Sequence, residues 1–412
     1  MAENRTLSDR HVRKVMKADW LGGVYMQHDF CRKASALLSI LIAMAIMPEQ
    51  SAHAEADAVQ IVSIGFAGGL GKKTQTNLSF SARDGAQMAV DEANQRKMVV
   101  GGRRVAFKLL VSDDQSDANF ARLAANSFVA AGVVGVIGHN ATDTSLAAAP
   151  IYSEAKIPQL SPTSTGRQFT QGGYKTVFQV LGHSEVTAVH LARIATESLK
   201  AKRIVVIDNG TGVGLSIADV FSRQVRQSGG GILFRESLNS KTSDFNSVLS
   251  RVKSEGADLL VFTGIGPQAT AFSQNCKRLG IASTLLLSGG AVNLEFPDTG
   301  AHPDGAYLLM HGLPNETRPG YAQFEKVYKK QFDSALTAYA LFSYDAVGML
   351  IEALRKANSL DPGDVVGVLH NMQYKGISGP ISFAADGSQN NPPYTLYRAS
   401  QKKWQVVRTF GG

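Results

Sequence analysis

Short runs of β-branched residues alternate with helical patterns along most of the chain, and this alternation limits the possible folds more than any other feature. Residues 61–66 are typical of a buried strand. A helical spacing follows, carried by Ala82, Ala86, Ala89, Val90 and Ala93. Strand, helix and strand patterns then recur at 105–111, 121–129 and 133–137. This order predicts an α/β fold with a parallel, doubly wound sheet and helices on both of its faces.

The same alternation starts again near Arg203. Further strands are predicted at 204–208, 231–238, 259–263 and 285–288, with helices at 216–227, 245–252 and 267–279. A long helix is predicted at 338–357, and the chain finishes in strand-like segments at 381–383 and 394–397. Two such series predict two Rossmann-like lobes. Because doubly wound sheets bind ligands beyond the carboxyl ends of their strands, we expect the site in a cleft between the lobes.

The N-terminal segment has the pattern of an export signal. Arg32 and Lys33 precede an apolar run at 34–47, and the small-residue pattern Ala52-His53-Ala54 follows. The run is shorter than the roughly 20 residues of a membrane-spanning helix. Residues 1–54 are therefore expected to be a cleavable signal peptide that directs the protein to the periplasm. A start at Met26 would give a signal of ordinary length and make residues 1–25 a mis-assigned start.

Charge and cysteine content exclude several function classes. The net charge of +8 is spread over 412 residues, with no Lys/Arg block after the N-terminus, so we expect no nucleic-acid partner. Cys31 lies before the apolar run, which leaves only Cys276 after cleavage. The exported chain is therefore expected to lack an internal disulfide and a cysteine-based metal site.

Two glycine-rich loops resemble nucleotide-binding motifs without matching them. In the loop at 65–73, Phe66 stands where a phosphate-binding loop needs Gly, and Lys73 stands where it needs Ser or Thr. The loop at 210–214 lacks the dinucleotide-binding spacing. No cofactor is expected.

The sequence also lacks the signatures of common catalytic sites. It has no Gly-x-Ser-x-Gly or His-Glu-x-x-His pattern. Asp113 and Asp114 end one strand, where successive side chains point to opposite faces, so they are not expected to act as an acid/base pair. His139 is interpreted as a hydrogen-bonded loop residue. We expect no enzymatic activity and no metal.

Two polar clusters are better candidates for a binding site. The strand at 133–137 is followed by residues 138–145, which include Asn140, Ala141 and Thr142, and the strand at 158–160 is followed by Ser161-Pro162-Thr163-Ser164-Thr165. Each cluster brings hydroxyls and backbone N–H groups to a helix entrance, where they cap the helix or bind an anion. Their occurrence after neighbouring strands favours a carboxylate site.

Several short motifs, taken in order, resemble the branched-chain (Leu/Ile/Val-type) amino-acid binding proteins of ABC transporters, which have the type I periplasmic binding fold. They are Asp84-Gly85-Ala86 with Asn94, residues 113–117, Val136-Ile137-Gly138, residues 157–162, Tyr344-Asp345-Ala346 and residues 377–380. The resemblance extends over 59–407. It implies crossovers near 179–182, 311–314 and 379–381. Lobe 1 would then comprise 59–181 plus 312–379, and lobe 2 would comprise 182–311 plus 380–412.

The resemblance also implies binding residues. Thr142, Ser164 and Thr165 match the positions that hold the ligand carboxylate in that family. In the second lobe, the family's two aromatic residues and its ammonium-binding acid are replaced by Thr211, Gly266 and Gly290. Glu295 is the nearest carboxylate, and Arg167 could meet a second acidic group. A buried ammonium needs a counter-charge, so the ligand need not be an α-amino acid, and an aromatic or other organic acid fits as well.

The expected function is therefore that of the solute-binding component of an ABC importer. It would capture an amino acid or related carboxylate by lobe closure and deliver it to an inner-membrane permease. The alternative that the sequence leaves open is a periplasmic sensor protein that presents its ligand to a chemoreceptor or sensor kinase.

Overall fold

Two β-sheets organise the chain in the computed structural model, which describes residues 58–71, 77–264, 267–289 and 302–412. The strands are β1 Gln60–Gly68, β2 Val99–Val100, β3 Arg103–Asp113, β4 Val136–Ile137, β5 Gln159–Ser161, β6 Val177–Gln179, β7 Ile204–Asp208, β8 Ile232–Ser237, β9 Leu259–Phe262, β10 Thr284–Ser288, β11 Tyr307–His311, β12 Tyr374–Lys375, β13 Pro380–Ile381, β14 Tyr394–Ser400 and β15 Lys403–Phe410. The helices are α1 Asn77–Gln95, α2 Ala118–Ala130, α3 Thr142–Glu154, α4 Gln168–Gln171, α5 Ser184–Arg193, α6 Gly212–Gln227, α7 Asn246–Ser254, α8 Pro267–Arg278, α9 Tyr321–Gln331, α10 Ala338–Ala357 and α11 Pro362–Asn371.

The first sheet has the strand order β2-β3-β1-β4-β5-β6. Its strands are parallel except for the short edge strand β2, which pairs antiparallel with β3. Helix α1 is tied to β3 by Asn94, whose amide donates to the carbonyl of Phe107 at 2.9 Å and accepts its N–H at 2.7 Å. Apolar residues of α1, α10 and α11 fill the core on this sheet.

The second sheet has the strand order β15-β14-β11-β10-β9-β7-β8. Strands β7 to β11 are parallel, while β14 and β15 add an antiparallel edge. Strand β7 explains why this sheet needs helices on both faces. Val205 and Ile207 pack into one core and Val206 into the other, since successive side chains of a strand point to opposite faces.

The predicted α/β class with two doubly wound sheets is confirmed. The chain leaves the first sheet after β6 and builds the second sheet up to β11. It then returns through α10, whose C-terminal half packs on the first sheet, and ends in β14 and β15. These three passages are compatible with the expected crossovers, and the lobe boundaries stay predictions.

Local differences from the predicted elements concern short or exposed segments. The predicted strand at 133–137 is paired only at Val136–Ile137, and α6 begins at Gly212 rather than at residue 216. The strand predicted at 381–383 is Pro380–Ile381, and Phe383 forms only an isolated antiparallel bridge with Gln389. The predicted signal peptide lies outside the described residues. Among the described residues, no helix is both long and apolar enough to span a membrane.

Candidate functional site

A cavity of about 420 Å³ lies between the carboxyl ends of the two sheets. This volume is within the usual range for small-molecule sites. Its walls include residues that follow β4, β5, β7 and β10, together with the starts of four helices. The lining residues are Asn140, Ala141, Thr142, Asp143, Leu146, Thr163, Thr165, Gly166, Gln168, Ser184, Thr187, Thr211, Gly212, Val213, Ser216, Ile217, Gly289, His311 and Tyr339.

Helices α3, α5, α6 and α10 all begin at this cavity, where they contribute Thr142, Ser184, Gly212 and Tyr339 to its walls. The first N–H groups of a helix have no partner within it, and the helix dipole is positive at that end. Side chains cap α6 and α10, and Ser184 at the start of α5 donates its N–H to the Thr165 carbonyl at 2.7 Å, whereas no side chain caps α3. The cavity therefore offers main-chain donors and a positive potential to an anion.

Two polar loops of the first sheet form one wall. Gly166 donates its N–H to Oγ1 of Thr142 at 3.0 Å, and Thr163 donates its hydroxyl to the carbonyl of Asn140 at 2.8 Å. Because Oγ1 of Thr142 accepts from Gly166, the hydroxyl proton of Thr142 remains for a further acceptor. Hydrogen bonds within the protein thus hold this wall in place, and the Thr142 hydroxyl can still donate to a ligand.

Among the described lining residues, Asp143 carries the only side-chain charge expected at neutral pH. His311 is neutral, since burial lowers its pKa to about 4 against the opposing effect of its hydrogen bond to Gly182. Nε2 of His311 donates to the Gly182 carbonyl at 3.0 Å. Asp143 is exposed, so water screens its charge. Negative charge is therefore favoured here by N–H groups and hydroxyls rather than by a cation.

The cavity has an apolar end. A smaller space of about 30 Å³ shares Thr163, Thr165, Gly289, His311 and Tyr339 with the larger one. Its remaining lining residues are Leu78, Leu181, Met310, Ala338 and Phe342. A ligand with a polar head and a compact apolar group matches these two ends.

The structure brings together most of the residues expected at the site. Asn140, Ala141, Thr142, Thr165 and Thr211 all line the cavity. Gly266 and Gly290 lie outside the described residues, as does Glu295. Their suggested roles stay predictions.

Ser164 lies behind the cavity wall rather than on it. It is 1% exposed, and its Oγ is 2.7 Å from Oγ of Ser145. Thr163 lines the cavity in its place. Residues 162 and 163 form a bend after β5, so a simple alternation along the sequence could not indicate which of these side chains faces the cavity. His311 and Tyr339 come from distant segments and had no local signal.

Arg167 is not on the cavity wall, although its neighbours Gly166 and Gln168 are. Its Nη1 lies 2.6 Å from Nε2 of His183, and its Nε lies 3.4 Å from a carboxylate oxygen of Glu185. Arg167 therefore has protein partners in this structure. Its suggested role as a partner for a second acidic group stays a prediction.

The adjacent carboxylates after β3 have separate partners. Asp113 accepts the N–H groups of Leu70 and Gln115, while Asp114 is buried against His139. The two carboxylates thus face different surroundings. Within the described part of the chain, no group of three or more His, Cys, Asp or Glu side chains could hold a metal ion.

Comparison with known proteins identifies the family to which the chain belongs. The family model described as "Periplasmic binding protein" matches residues 62–403. Leu/Ile/Val-binding protein homolog 1 of Brucella suis is 26% identical over 316 residues, which cover 76% of this chain and 84% of that protein.

Two solved structures have a similar fold. The branched-chain amino acid transporter substrate binding protein LivJ of Streptococcus pneumoniae, in complex with isoleucine, has a TM-score of 0.73 and 21% identity, covering 84% of this chain and 99% of that one. A solute binding protein of an ABC transporter from Rhodopseudomonas palustris, in complex with 3,4-dihydroxybenzoic acid, has a TM-score of 0.74 and 15% identity, covering 85% of this chain and 97% of that one.

The family match runs from β1 into β15 and so includes both sheets and the cavity between them. The resemblance to Leu/Ile/Val-binding proteins, first indicated by short motifs, is confirmed by the sequence relatives. The chain belongs to the periplasmic binding protein family.

Proposed function

We propose that this protein is the solute-binding component of an ABC importer and that it holds a small carboxylate-bearing molecule in the cavity between its two sheets. The observation that carries the proposal is the convergence of four helix starts and several hydroxyls on one cavity whose described lining includes a single carboxylate, that of the exposed Asp143. Charge-assisted hydrogen bonds contribute roughly 1.5–3 kcal/mol each, so a few of them, less the costs of ordering, reach the roughly 8 kcal/mol of micromolar binding.

Lobe closure is part of the proposal because both sheets contribute to the walls. Thr142 and Thr165 follow strands of the first sheet, while Thr211 and Gly289 follow strands of the second. A ligand that contacts both sets favours the arrangement in which the sheets approach each other. The expected signal peptide and the family together support a periplasmic location and an inner-membrane permease as partner.

The ligand class follows from the two ends of the cavity. Isoleucine and 3,4-dihydroxybenzoic acid, the ligands of two structural neighbours, both have a carboxyl group and a compact apolar part. The main-chain donors fit the carboxylate of either one. Asp143 is the described carboxylate that an ammonium group would meet, and its exposure limits the benefit of that contact.

The first test is a thermal-shift screen of the purified protein, freed of carried-over ligand, against isoleucine, 3,4-dihydroxybenzoate and related acids. A micromolar ligand at millimolar concentration should stabilise the folded state by about 4 kcal/mol. Stabilisation only by acids without an amine would support the organic-acid alternative. No shift with either class would contradict the proposed ligand class.

Two variants test the site itself. Thr142→Val and Thr165→Val should each weaken binding about fivefold, since each removes a hydroxyl from the polar end. Thr196→Val is the matched control, because the Thr196 hydroxyl donates to the Ala192 carbonyl within a helical segment at 2.9 Å. Equal affinities in all three variants would show that the cavity is not the binding site.

The importer role needs a cellular measurement. A strain that lacks the protein should lose uptake of the radiolabelled ligand found in the screen. Normal uptake combined with a lost chemotactic or transcriptional response would instead favour the sensory alternative.

A further inference from the structure

Three buried side chains form a chain of hydrogen bonds behind the polar wall of the cavity. Oδ2 of Asp114 lies 2.7 Å from Nδ1 of His139, and Nε2 of His139 lies 3.1 Å from the hydroxyl of Tyr152. Asp114 is 1% exposed, and both His139 and Tyr152 are 0% exposed. All three residues are therefore shielded from water, and none of them lines the cavity.

The chemistry of these groups sets the direction of the hydrogen bonds. A carboxylate only accepts, so Nδ1 of His139 donates to Asp114, and the Tyr152 hydroxyl is the hydrogen-bond partner of Nε2. The other oxygen of Asp114 accepts the N–H of Ser116 at 2.9 Å. The ring of His139 is thus held on both sides and cannot turn without leaving a buried polar group unpaired.

The main chain of His139 links the two polar loops. Its carbonyl oxygen accepts the hydroxyl of Ser145, in helix α3, and that of Ser161, at the end of β5, both at 2.9 Å. These donors use the two lone pairs of the oxygen. Oγ of Ser164 lies 2.7 Å from Oγ of Ser145 and 3.3 Å from the same carbonyl oxygen, so it belongs to the network as well. One carbonyl therefore joins the loop that supplies Asn140 and Thr142 to the loop that supplies Thr163 and Thr165.

We infer that His139 is a positioning residue of the binding site. Asp114 and Tyr152 hold its ring, and its carbonyl keeps the two cavity-facing loops in register. The functional part of this inference rests on the proposed ligand site, whereas the coupling of the two loops does not. Loosening the ring should therefore disturb both loops together and weaken ligand binding, although no atom of the three side chains touches the ligand.

The coupling can be tested without ligand by NMR and amide hydrogen exchange on the full protein. Nδ1 of His139 should carry a proton, and Asp114→Asn should shift that proton to Nε2, because the oxygen that faces Nδ1 becomes an NH2 group while the other oxygen still accepts from Ser116. Tyr152→Phe should speed exchange of the Ser145 and Gly166 amides together. Tyr344→Phe is the control, because the Tyr344 hydroxyl donates to the carboxylate of Glu92 on the wall of a separate cavity, and it should change neither amide.

The functional part is tested by calorimetry with isoleucine and 3,4-dihydroxybenzoate, using whichever binds the unmodified protein. Tyr152→Phe should weaken binding between about threefold and tenfold, while Tyr344→Phe should not. Faster exchange in only one of the two loops, or unchanged affinity in Tyr152→Phe, would overturn the inference. If neither probe binds the unmodified protein, the ligand proposal fails, and the exchange data still decide whether His139 couples the loops.

Discussion

Nη1 of Arg167 lies 2.6 Å from Nε2 of His183, the residue that precedes helix α5 beside the cavity. A guanidinium group only donates, so His183 accepts this hydrogen bond and is neutral. Burial lowers the pKa of His183, and the charge of Arg167 lowers it further against the opposing effects of Glu185 and Asp386. The contact therefore depends on pH.

Stability should reflect this dependence. As the pH falls below about 6.5, the unfolded chain takes up a proton at His183 before the folded protein does, so the free energy of unfolding decreases. His183→Gln keeps an acceptor for Arg167 and does not titrate. Urea denaturation at pH 7.5 and 5.5 should therefore show a smaller pH dependence in this variant. Equal pH dependence in both proteins would contradict the assignment.

Asp345 should change stability with the opposite sign. Burial raises its pKa to about 6, although Ser378, Ile377 and Arg318 favour the charged form. The folded protein then holds a proton that the unfolded chain loses near pH 4, so this group lowers the free energy of unfolding as the pH rises from 4 to 6, by on the order of 2–3 kcal/mol.

The variant Asp345→Asn removes this titration. The free energy of unfolding of the variant, minus that of the unmodified protein, should therefore increase as the pH rises from 4.5 to 7. Urea denaturation at several pH values measures this difference. A constant difference across that range would show that the carboxyl group titrates normally.

Thr211 should contribute to stability as a helix cap. Its Oγ1 accepts the N–H of Gly214 at 3.1 Å and donates to Oδ1 of Asn209 at 2.7 Å. Thr211→Ala should cost about 1 kcal/mol of unfolding free energy, and Thr211→Ser should restore most of it. Thermal denaturation of both variants tests this, and equal losses would indicate that the methyl group rather than the hydroxyl matters.

Phe272 should be among the most sensitive core positions. Its ring stacks on Phe262 with 4.2 Å between centroids and meets Phe245 edge-on at 5.2 Å, and all three residues are 0% exposed. Phe272→Ala should cost about 3–5 kcal/mol. Phe120→Ala provides the control, since Phe120 is 42% exposed on helix α2 and should change the denaturation midpoint little.

Cys276 should be unreactive in the folded protein. It is 2% exposed, and burial raises its pKa to about 12, whereas thiol reagents attack the thiolate. Peptide mapping after treatment with a thiol-specific reagent should find Cys276 modified only when denaturant is present. Rapid modification under native conditions would indicate that helix α8 opens readily.

Regular buried elements were the most predictable part of the fold. The strand predicted at 204–208 and the helix predicted at 338–357 have the same bounds in the structure as β7 and α10. Strand β7 is a fully buried run of β-branched residues, and α10 is a twenty-residue stretch with apolar residues at helical spacing. Strand β15 was not predicted, because most of its residues are exposed and show no alternation. Strand β11 was not predicted either, and its last residue, His311, was expected to begin a crossover.

The site was predictable as a region but not as a set of side chains. The loops after β4 and β5 were identified because hydroxyls at helix starts follow parallel strands. Thr163 lines the cavity and Ser164 lies behind its wall, a difference that the sequence did not indicate because the orientation of each side chain depends on the backbone of an irregular segment. Helix α5, with Ser184 at its start, was not predicted, so its contribution to the wall was missed.

The helix starts around the cavity have an evolutionary consequence. A donor that belongs to the main chain persists through almost any substitution at its own position, so the main-chain part of the polar end is resistant to point mutation. The apolar end, by contrast, consists of side chains such as Leu78, Met310 and Phe342, each of which one codon change can enlarge or shrink. Lineages descended from this protein can therefore acquire new solutes by altering one end of the cavity while inheriting the other unchanged.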